Sequence, residues 1–545
     1  MGRSRATTDA AWRESPAMRP PFDPEATALR VDDGAWRWSE LAERSERRAA
    51  RLRRQGLQAG EVVLCPTTPV LDSMLMQQAL ARLGAAVLPV RDGLPPARRD
   101  LLIKTSGAEW IWASADRQLE THGQLLRTGA RGGADPVEQD DDPPFVLVET
   151  SGSSARPKLA MLSATNVAAS CVKVNERLAV GPGDAWLCVL PRQHVGGLAI
   201  GYRCALAGAT MIVHERFDPA TVHCALHEHG ITHLSLVPAM LQRLLDQGHP
   251  PPPGLRVVLL GGQALDPSLA RRGVGAGWPL YLGYGMTETF SQIAGAWIDE
   301  AGTVPGGLEP LDGVQVEAPR CAETRPEHEQ ASETAPEQAP QRAPEGRSTR
   351  DEADASPAMQ TVSHRSGHRS GIPSSPLQRP NEHRYRTEQM APLRVRGPML
   401  MLGYANPTRS AGTGLTGGWL ETGDLACQQR TSGLMILGRA DDVIISGGVN
   451  ILPAEVEQRL AAFEGVAEVA VVGLPDPAWG QRLVAVYTGS CDPAGIEQWA
   501  RAALPSHLRP RGFVRLAELP RLASGKRDRR AIERQAAALN SASGV

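Results

Sequence analysis

Hydrophobic positions along this chain alternate between helical stripes and short unbroken apolar runs. Trp38 to Arg54 carries Ala, Leu, Glu and Arg at helical spacing, and Gly56 closes it. Val62-Val63-Leu64 and Ala86-Val87-Leu88 are compact apolar runs that predict buried strands. Met74 to Val90 is apolar but broken by Gln77, Gln78 and Arg82, so it predicts a helix running into a strand rather than a membrane span. The same alternation recurs downstream. Ala185–Leu190, Thr210–Val213, Ile231–Val237 and Arg256–Leu260 predict strands with helical stretches between them. Strands that alternate with helices argue for an α/β fold, a large N-terminal domain of layered, largely parallel sheets.

Two stretches break the rhythm. Residues 1–22 are polar, and a disordered N-terminus is expected there. Residues 319–390 hold no Phe or Trp, a single Tyr (Tyr385), and much Pro, Glu, Arg, Ser and Gln. Such a segment cannot bury enough apolar area to offset its ordering entropy, so a disordered insertion is expected, with a regulatory or docking tail as the alternative. Order resumes at Leu393. A new unit starts near Gly438: helix Pro453–Phe463, strands Ala467–Gly473 and Leu483–Thr488, helix Ala494–Leu504, then a basic tail. The expected division is 23–438 for the large domain and 439–545 for a small, mobile C-terminal α+β domain.

Composition narrows the classes. With 41% hydrophobic and 22% charged residues the chain can build ordinary globular cores. A net charge of -2 gives no basic field for nucleic acid or an anionic membrane. The 8 cysteines are scattered with no C-x-x-C pair, and a reduced, cytoplasmic compartment is expected. No apolar leader follows Arg3 and Arg5, so no signal peptide is expected.

Five segments carry candidate chemistry. Thr150-Ser151-Gly152-Ser153-Ser154-Ala155-Arg156-Pro157-Lys158 follows the apolar run Phe145–Val148. Its backbone N–H groups, hydroxyls and two cations suit phosphate oxygens. It is not a Walker A loop, because Pro157 precedes Lys158 and Leu159 follows it. Gly283-Tyr284-Gly285-Met286-Thr287-Glu288-Thr289 offers a hydroxyl for phosphate and a carboxylate for Mg²⁺; the bland alternative is a strand–turn–helix with a Thr cap. Trp419–Leu425 holds Asp424 beside Gly423, an acceptor for ribose hydroxyls or merely a Gly-Asp turn. Gly438–Glu457 contains Arg439, Asp441 and the pair Gly447-Gly448 before a helix with Pro453 in its first turn. Pro520–Arg529 holds Lys526, which could equally be part of a solvated basic tail.

Taken together, in this order, the five resemble the adenylate-forming superfamily of acyl-CoA synthetases, nonribosomal adenylation domains and luciferases. The resemblance runs from about Ala28 to Ile532 and implies ATP, Mg²⁺ and coenzyme A as partners of a small carboxylic acid. It implies that Thr150, Ser151, Gly152, Ser153, Ser154 and Lys158 cradle the triphosphate. Thr287 would touch phosphate, Glu288 would hold Mg²⁺, and Tyr284 would lie by the adenine. Asp424 and Arg439 would hold the ribose, with Asp441 as the hinge. Gly447 and Gly448 would wall the thiol path, and Lys526 would reach in during adenylation. Ala155 and Leu159 stand where the family usually has Gly, which narrows the loop.

Leu190-Pro191-Arg192-Gln193-His194-Val195-Gly196-Gly197-Leu198, with Tyr202-Arg203 after it, resembles the o-succinylbenzoate–CoA ligase branch, which serves menaquinone synthesis. That likeness puts His194 over the acyl pocket and makes Arg203 a partner for the acid's second carboxylate, a role a guanidinium suits. Gln263, after Leu260-Gly261-Gly262, is a further candidate at the pocket floor. Three alternatives stay open: a ligase for another aryl or short-chain acid, a nonribosomal adenylation module, and a catalytically silent AMP-binding relative. His223, Cys224, His227, His229 and His233 cluster in sequence, and His223 and His227 at i, i+4 could bind zinc. Gly230 should end that helix and move His233 onto a strand, so incidental histidines are the expectation.

Overall fold

The computed structural model describes residues 23–32, 34–113, 124–129, 142–150, 157–304, 306–321, 391–405, 409–429, 433–522 and 526–542. Two compact units are distinguished, Met1–Arg320 with Gln389–Val545, and Cys321–Glu388. The expected disordered N-terminus and nearly all of the expected insertion lie outside the described residues. The first three residues assigned to the insertion are described. The backbone carbonyl of Pro319 accepts from the amide of Gln428 at 2.8 Å, and Arg320 bridges Gln428. These residues pair through the main chain, which is blind to side-chain polarity.

The periodicity is realised closely. Helix Trp38–Arg54 has the predicted bounds, and so does strand Thr210–Val213. Met74–Val90 resolves into helix Val70–Leu83 and strand Ala86–Val90, with Gly84 at a positive φ of 66° ending the helix. Nine strands form one sheet around a parallel centre whose successive members are Thr27–Val31, Thr210–Val213, Ala185–Cys188, His233–Leu236, Val257–Leu260 and Leu280–Met286. Seven form a second, with Val62–Pro66 and Ala86–Val90 parallel at its centre. Central strands such as Val257–Leu260 are buried on both faces, which is why they read as unbroken apolar runs.

Helices Ala164–Leu178 and Val195–Ala207 contribute to the cores of both sheets: Val167, Cys171, Leu198 and Ala199 pack with the second sheet, and Val174, Leu178, Ile200 and Cys204 with the first. A four-stranded antiparallel sheet follows, containing Ala391–Arg396, Leu420–Gln428 and Leu434–Arg439.

The small C-terminal domain holds a five-stranded sheet built on the long pair Val466–Asp476 and Gly480–Gly489. The basic tail is not solvated chain. Arg529–Ala542 is a helix, and Ile532 and Ala536 are fully buried on that sheet. Arg521 pairs with Glu468, and Arg529 with Asp442 and Glu457. The basic residues are there to meet acids of their own domain. Cys65, Cys171, Cys188, Cys204, Cys224 and Cys491 are free thiols. Among the described residues no helix is long and apolar enough to cross a membrane.

Candidate active site

Strand Leu280–Met286 ends in a 3-10 turn, Thr287–Thr289, and the chain then returns antiparallel as Ser291–Trp297. The reversal is tight. Phe290 and Ser291 adopt positive φ of 49° and 101°, and a side chain at Gly285 would place its first carbon 1.8 Å from the Ser291 carbonyl oxygen. Backbone strain of this kind persists only where surrounding packing enforces it; here Phe290 and Thr289 are wholly buried. The turn presents Thr287 and Glu288 at the surface of the large domain, half-buried. A helix capped by Thr, the bland alternative for this segment, is not formed.

Asp424 lies on the neighbouring antiparallel sheet, in register with Arg439. The Tyr284 hydroxyl donates to one of its carboxylate oxygens at 2.6 Å, and Arg439 reaches the other at 3.3 Å. Burial, reinforced by Asp424, pushes the Tyr284 phenol far above its ordinary range, so it remains a donor. Gly423 is needed for this geometry, since a side chain there would meet the Arg439 guanidinium at 2.4 Å. Arg439 also lies 3.7 Å from Asp441, in the exposed turn Ala440–Asp442.

Lys526 enters from the small domain. Its Cε would lie 3.5 Å from a side chain built at Gly262, on the turn after strand Val257–Leu260. Burial lowers its pKa, while Asp424 and Glu288 favour the charged form and Arg439 opposes it. His194 feels Lys526 as well: burial first, then that ammonium, holds the imidazole below its usual pKa and hence neutral. Thus Asp424, Glu288, Arg439, His194 and Lys526, scattered over 333 positions of sequence from His194 to Lys526 (526 − 194 + 1), share one electrostatic environment.

Arg203 is 1% exposed. Its Nη2 donates to the Ser291 hydroxyl at 3.0 Å, its guanidinium lies over the Trp186 ring at 5.4 Å, and its Nε has no partner among the described residues. No described carboxylate pairs with it, so the reading of a structural ion pair fails. Gln263 is half-buried on the turn beside Gly262. The amide of Thr150 donates to the carbonyl of Lys158 at 2.9 Å; of the residues between them expected to cradle phosphate, Ser151, Gly152, Ser153 and Ser154 lie outside the described residues. Gly447 and Gly448 are not brought into the cleft. They form an exposed turn at φ of 59° and 78°, with Trp479 against Gly447.

Sequence reasoning missed Tyr404. Its hydroxyl donates to Glu288 at 2.7 Å, and Lys158 lies over its ring at 5.2 Å. Nothing local marks it; strand pairing of Gly403–Tyr404 with Met161 and Ala160 brings it there. Among the described residues no group of three or more His, Cys, Asp or Glu side chains could hold a metal ion. His233 is buried on its strand, its Nε2 donating to the Leu178 carbonyl at 3.0 Å and its Nδ1 accepting from the Thr232 hydroxyl at 2.8 Å. Glu288 alone, with phosphates and water completing the shell, is the kind of donor set Mg²⁺ takes.

A large layered domain whose cleft receives a lysine from a smaller one defines a nucleotide-dependent enzyme of the AMP-binding class. The chain belongs to the AMP-binding enzyme family, which matches residues 19–317; the AMP-binding enzyme C-terminal domain matches 455–526. Among curated relatives it is 28% identical to a 2-succinylbenzoate–CoA ligase of Bacillus cereus over 93% of this chain and 95% of that protein. It is 27% identical to the ligase of that name from Bacillus pumilus, over 94% and 95%. The Bacillus subtilis o-succinylbenzoate CoA synthetase bound to an acyl-adenylate shares the fold at a TM-score of 0.72, with 24% identity, covering 96% and 97% of the two chains. Wild-type E. coli MenE with a bound adenylate analogue gives 0.67 at 25% identity, covering 97% and 98%.

Proposed function

We propose that this chain is an ATP-dependent acid–CoA ligase that converts o-succinylbenzoate to its acyl-adenylate and then to o-succinylbenzoyl-CoA, in the cytoplasm, for menaquinone synthesis. The observation that carries the reading is the meeting of Lys526 with the fields of Asp424 and Glu288 in one cleft. Groups from both domains act there on one small region, as activation of a single nucleotide requires.

In this reading Asp424 accepts from the ribose hydroxyls, held in place by Tyr284 and Arg439. The loop from Thr150 to Lys158, with Ser151, Gly152, Ser153 and Ser154, wraps the triphosphate, and Thr287 donates to phosphate. The acid's carboxylate attacks the α-phosphorus in line and pyrophosphate leaves with the bonding electrons. No protein nucleophile takes part; positioning and fixed charge carry the step. Lys526 stabilises the charge that spreads over the phosphates. Glu288 would hold Mg²⁺, which when bound neutralises part of the phosphate charge. Neutral His194 borders the acyl pocket without adding a charge.

The acid is assigned through Arg203. A buried guanidinium with no carboxylate partner is costly unless something anionic meets it. The second carboxylate of o-succinylbenzoate supplies that partner, with Gln263 at the floor. Two curated relatives that match more than nine-tenths of this chain are 2-succinylbenzoate–CoA ligases.

Thiol transfer requires a second arrangement. Lys526 occupies the cleft, whereas Gly447 and Gly448 of the small domain are exposed. A rotation of residues 439–545 about Asp441 would withdraw Lys526 and bring the glycine turn to the thiol path. The decisive experiment is ATP–pyrophosphate exchange over a panel of acids. Exchange highest with o-succinylbenzoate supports the assignment; a preference for a monocarboxylate removes it.

A further inference from the structure

Helix Val195–Ala207 has a second side that the proposed reaction does not use. Its face bearing Gly197, Gly201, Tyr202 and Ala205 borders a half-open cavity of about 130 Å³, whose opposite wall is formed by residues of helices Trp38–Arg54 and Val70–Leu83. His194, Arg203, Gln263, Glu288, Asp424 and Lys526 are all absent from its lining. It is therefore separate from the candidate active site.

The wall is mostly apolar, but it includes Arg192 and Tyr202. Arg192 is 8% exposed. Its Nη2 donates to the Thr67 carbonyl, while Nη1 is buried with no partner among the described residues. No described carboxylate pairs with it; Glu215 acts on it only through its field, and burial lowers its pKa. The Tyr202 hydroxyl is likewise buried with no partner among the described residues, its ring held edge-on between Phe145 and Phe290 at 5.6 Å from each. Arg192 is fixed in place by its neighbours. At Gly197 an added side chain would lie 2.6 Å from the carbonyl oxygens of both Leu190 and Pro191, so the helix is pressed directly onto the segment preceding Arg192.

A buried cation without a counter-ion is among the most expensive features a fold can carry. A cavity of this size, near the roughly 150 Å³ that accommodates a benzene ring, gives room for one small apolar body. We propose that the cavity is a second binding site, for a small apolar monocarboxylate. Its carboxylate pairs with the Arg192 guanidinium, and a ring or short chain fills the space against Met74, Leu198 and Met211. The site goes beyond the proposed ligase reaction and does not depend on it.

The test is titration of the full chain with 4-fluorobenzoate followed by ¹⁹F NMR, with and without a saturating acyl-sulfamate analogue of the o-succinylbenzoyl adenylate. The expected result is one saturable equivalent in both conditions, weakened about tenfold or more in Arg192→Met, as loss of a charged partner requires, and lost in Gly201→Leu. Gly201 meets only Met211 beyond its own helix, with its sulfur at 3.5 Å, so the leucine can be placed while filling the cavity. Binding abolished by the analogue would mean that the acid uses the catalytic cleft, and equal affinity in Arg192→Met would remove the guanidinium; either overturns the site. If the analogue itself does not bind, the ligase assignment is at fault, while the Arg192 dependence still decides this one.

Discussion

The Tyr404 hydroxyl donates a hydrogen bond to Glu288 at 2.7 Å, and the face of the same ring lies 5.2 Å from the Lys158 ammonium. One side chain therefore ties the carboxylate proposed for Mg²⁺ to the lysine of the proposed phosphate loop. Burial, then the Glu288 charge, pushes the Tyr404 phenol above its ordinary range, so it donates at any working pH. Tyr404→Phe keeps the ring under Lys158 and loses only the bond to Glu288. The expected result is a rise of about tenfold in the Mg²⁺ concentration needed for half-maximal ATP–pyrophosphate exchange, the worth of a hydrogen bond to a charged group. Thermal melting should move little. An unchanged Mg²⁺ requirement would make Tyr404 a packing residue.

Arg203 gives a prediction about the acid. It is buried, bonded to the Ser291 hydroxyl at 3.0 Å, and has no described acid beside it. Arg203→Ala should raise KM for o-succinylbenzoate far more than KM for ATP, by about a hundredfold for loss of a buried charged contact. Arg203→Met should melt no lower than the parent, because an unpaired buried charge is removed. Kinetics unchanged toward the acid would take Arg203 out of the acyl pocket.

The fold was legible in the chain to an unusual depth where side chains are buried on both faces. Strand Thr210–Val213 and helix Trp38–Arg54 could be bounded because their apolar periodicity stops where the elements stop. Strand Val466–Asp476 runs past the predicted Gly473, since its last residues pair through the backbone with Gly480–Arg482 and need no apolar side chain. The docked helix Arg529–Ala542 was hidden by its basic start, where Arg529 meets the acids Asp442 and Glu457, far away in sequence. Asp424, Glu288 and Lys526 could be named because each sits in a distinctive local segment. Tyr404 and Arg192 could not be given roles, because their partners are supplied by tertiary packing alone.

Gly285 offers a test of the turn that presents Thr287 and Glu288. A methyl group there would collide with the Ser291 carbonyl oxygen at 1.8 Å and with Gln292 Cα at 2.6 Å. Backbone cannot step aside as a side chain can, so Gly285→Ala should destabilise by more than about 3 kcal/mol. Denaturant titration measures this directly. Gly261→Ala is the control, since its nearest contact outside its neighbours is an ordinary 3.5 Å and it should lose far less.

Lys526 sets the pH dependence. Burial holds its pKa below the 10.5 of an ordinary lysine, against the pull of Asp424 and Glu288. The charged form, which the proposed adenylation step uses, exists below the folded-state pKa and disappears as pH rises through it. Adenylation should therefore fall on an alkaline limb whose midpoint lies under 10.5. Stability follows the opposite sign: burying the ammonium is penalised at low pH, and the penalty is relieved as pH rises from the folded-state pKa toward the unfolded one. Lys526→Arg, which stays charged, should flatten the alkaline limb of adenylation even at a reduced rate. Lys526→Ala should abolish acyl-adenylate formation while sparing thiol transfer from premade adenylate. An equal loss in both half-reactions, measured separately by pyrophosphate release and by thioester formation, would deny Lys526 its place in the first step.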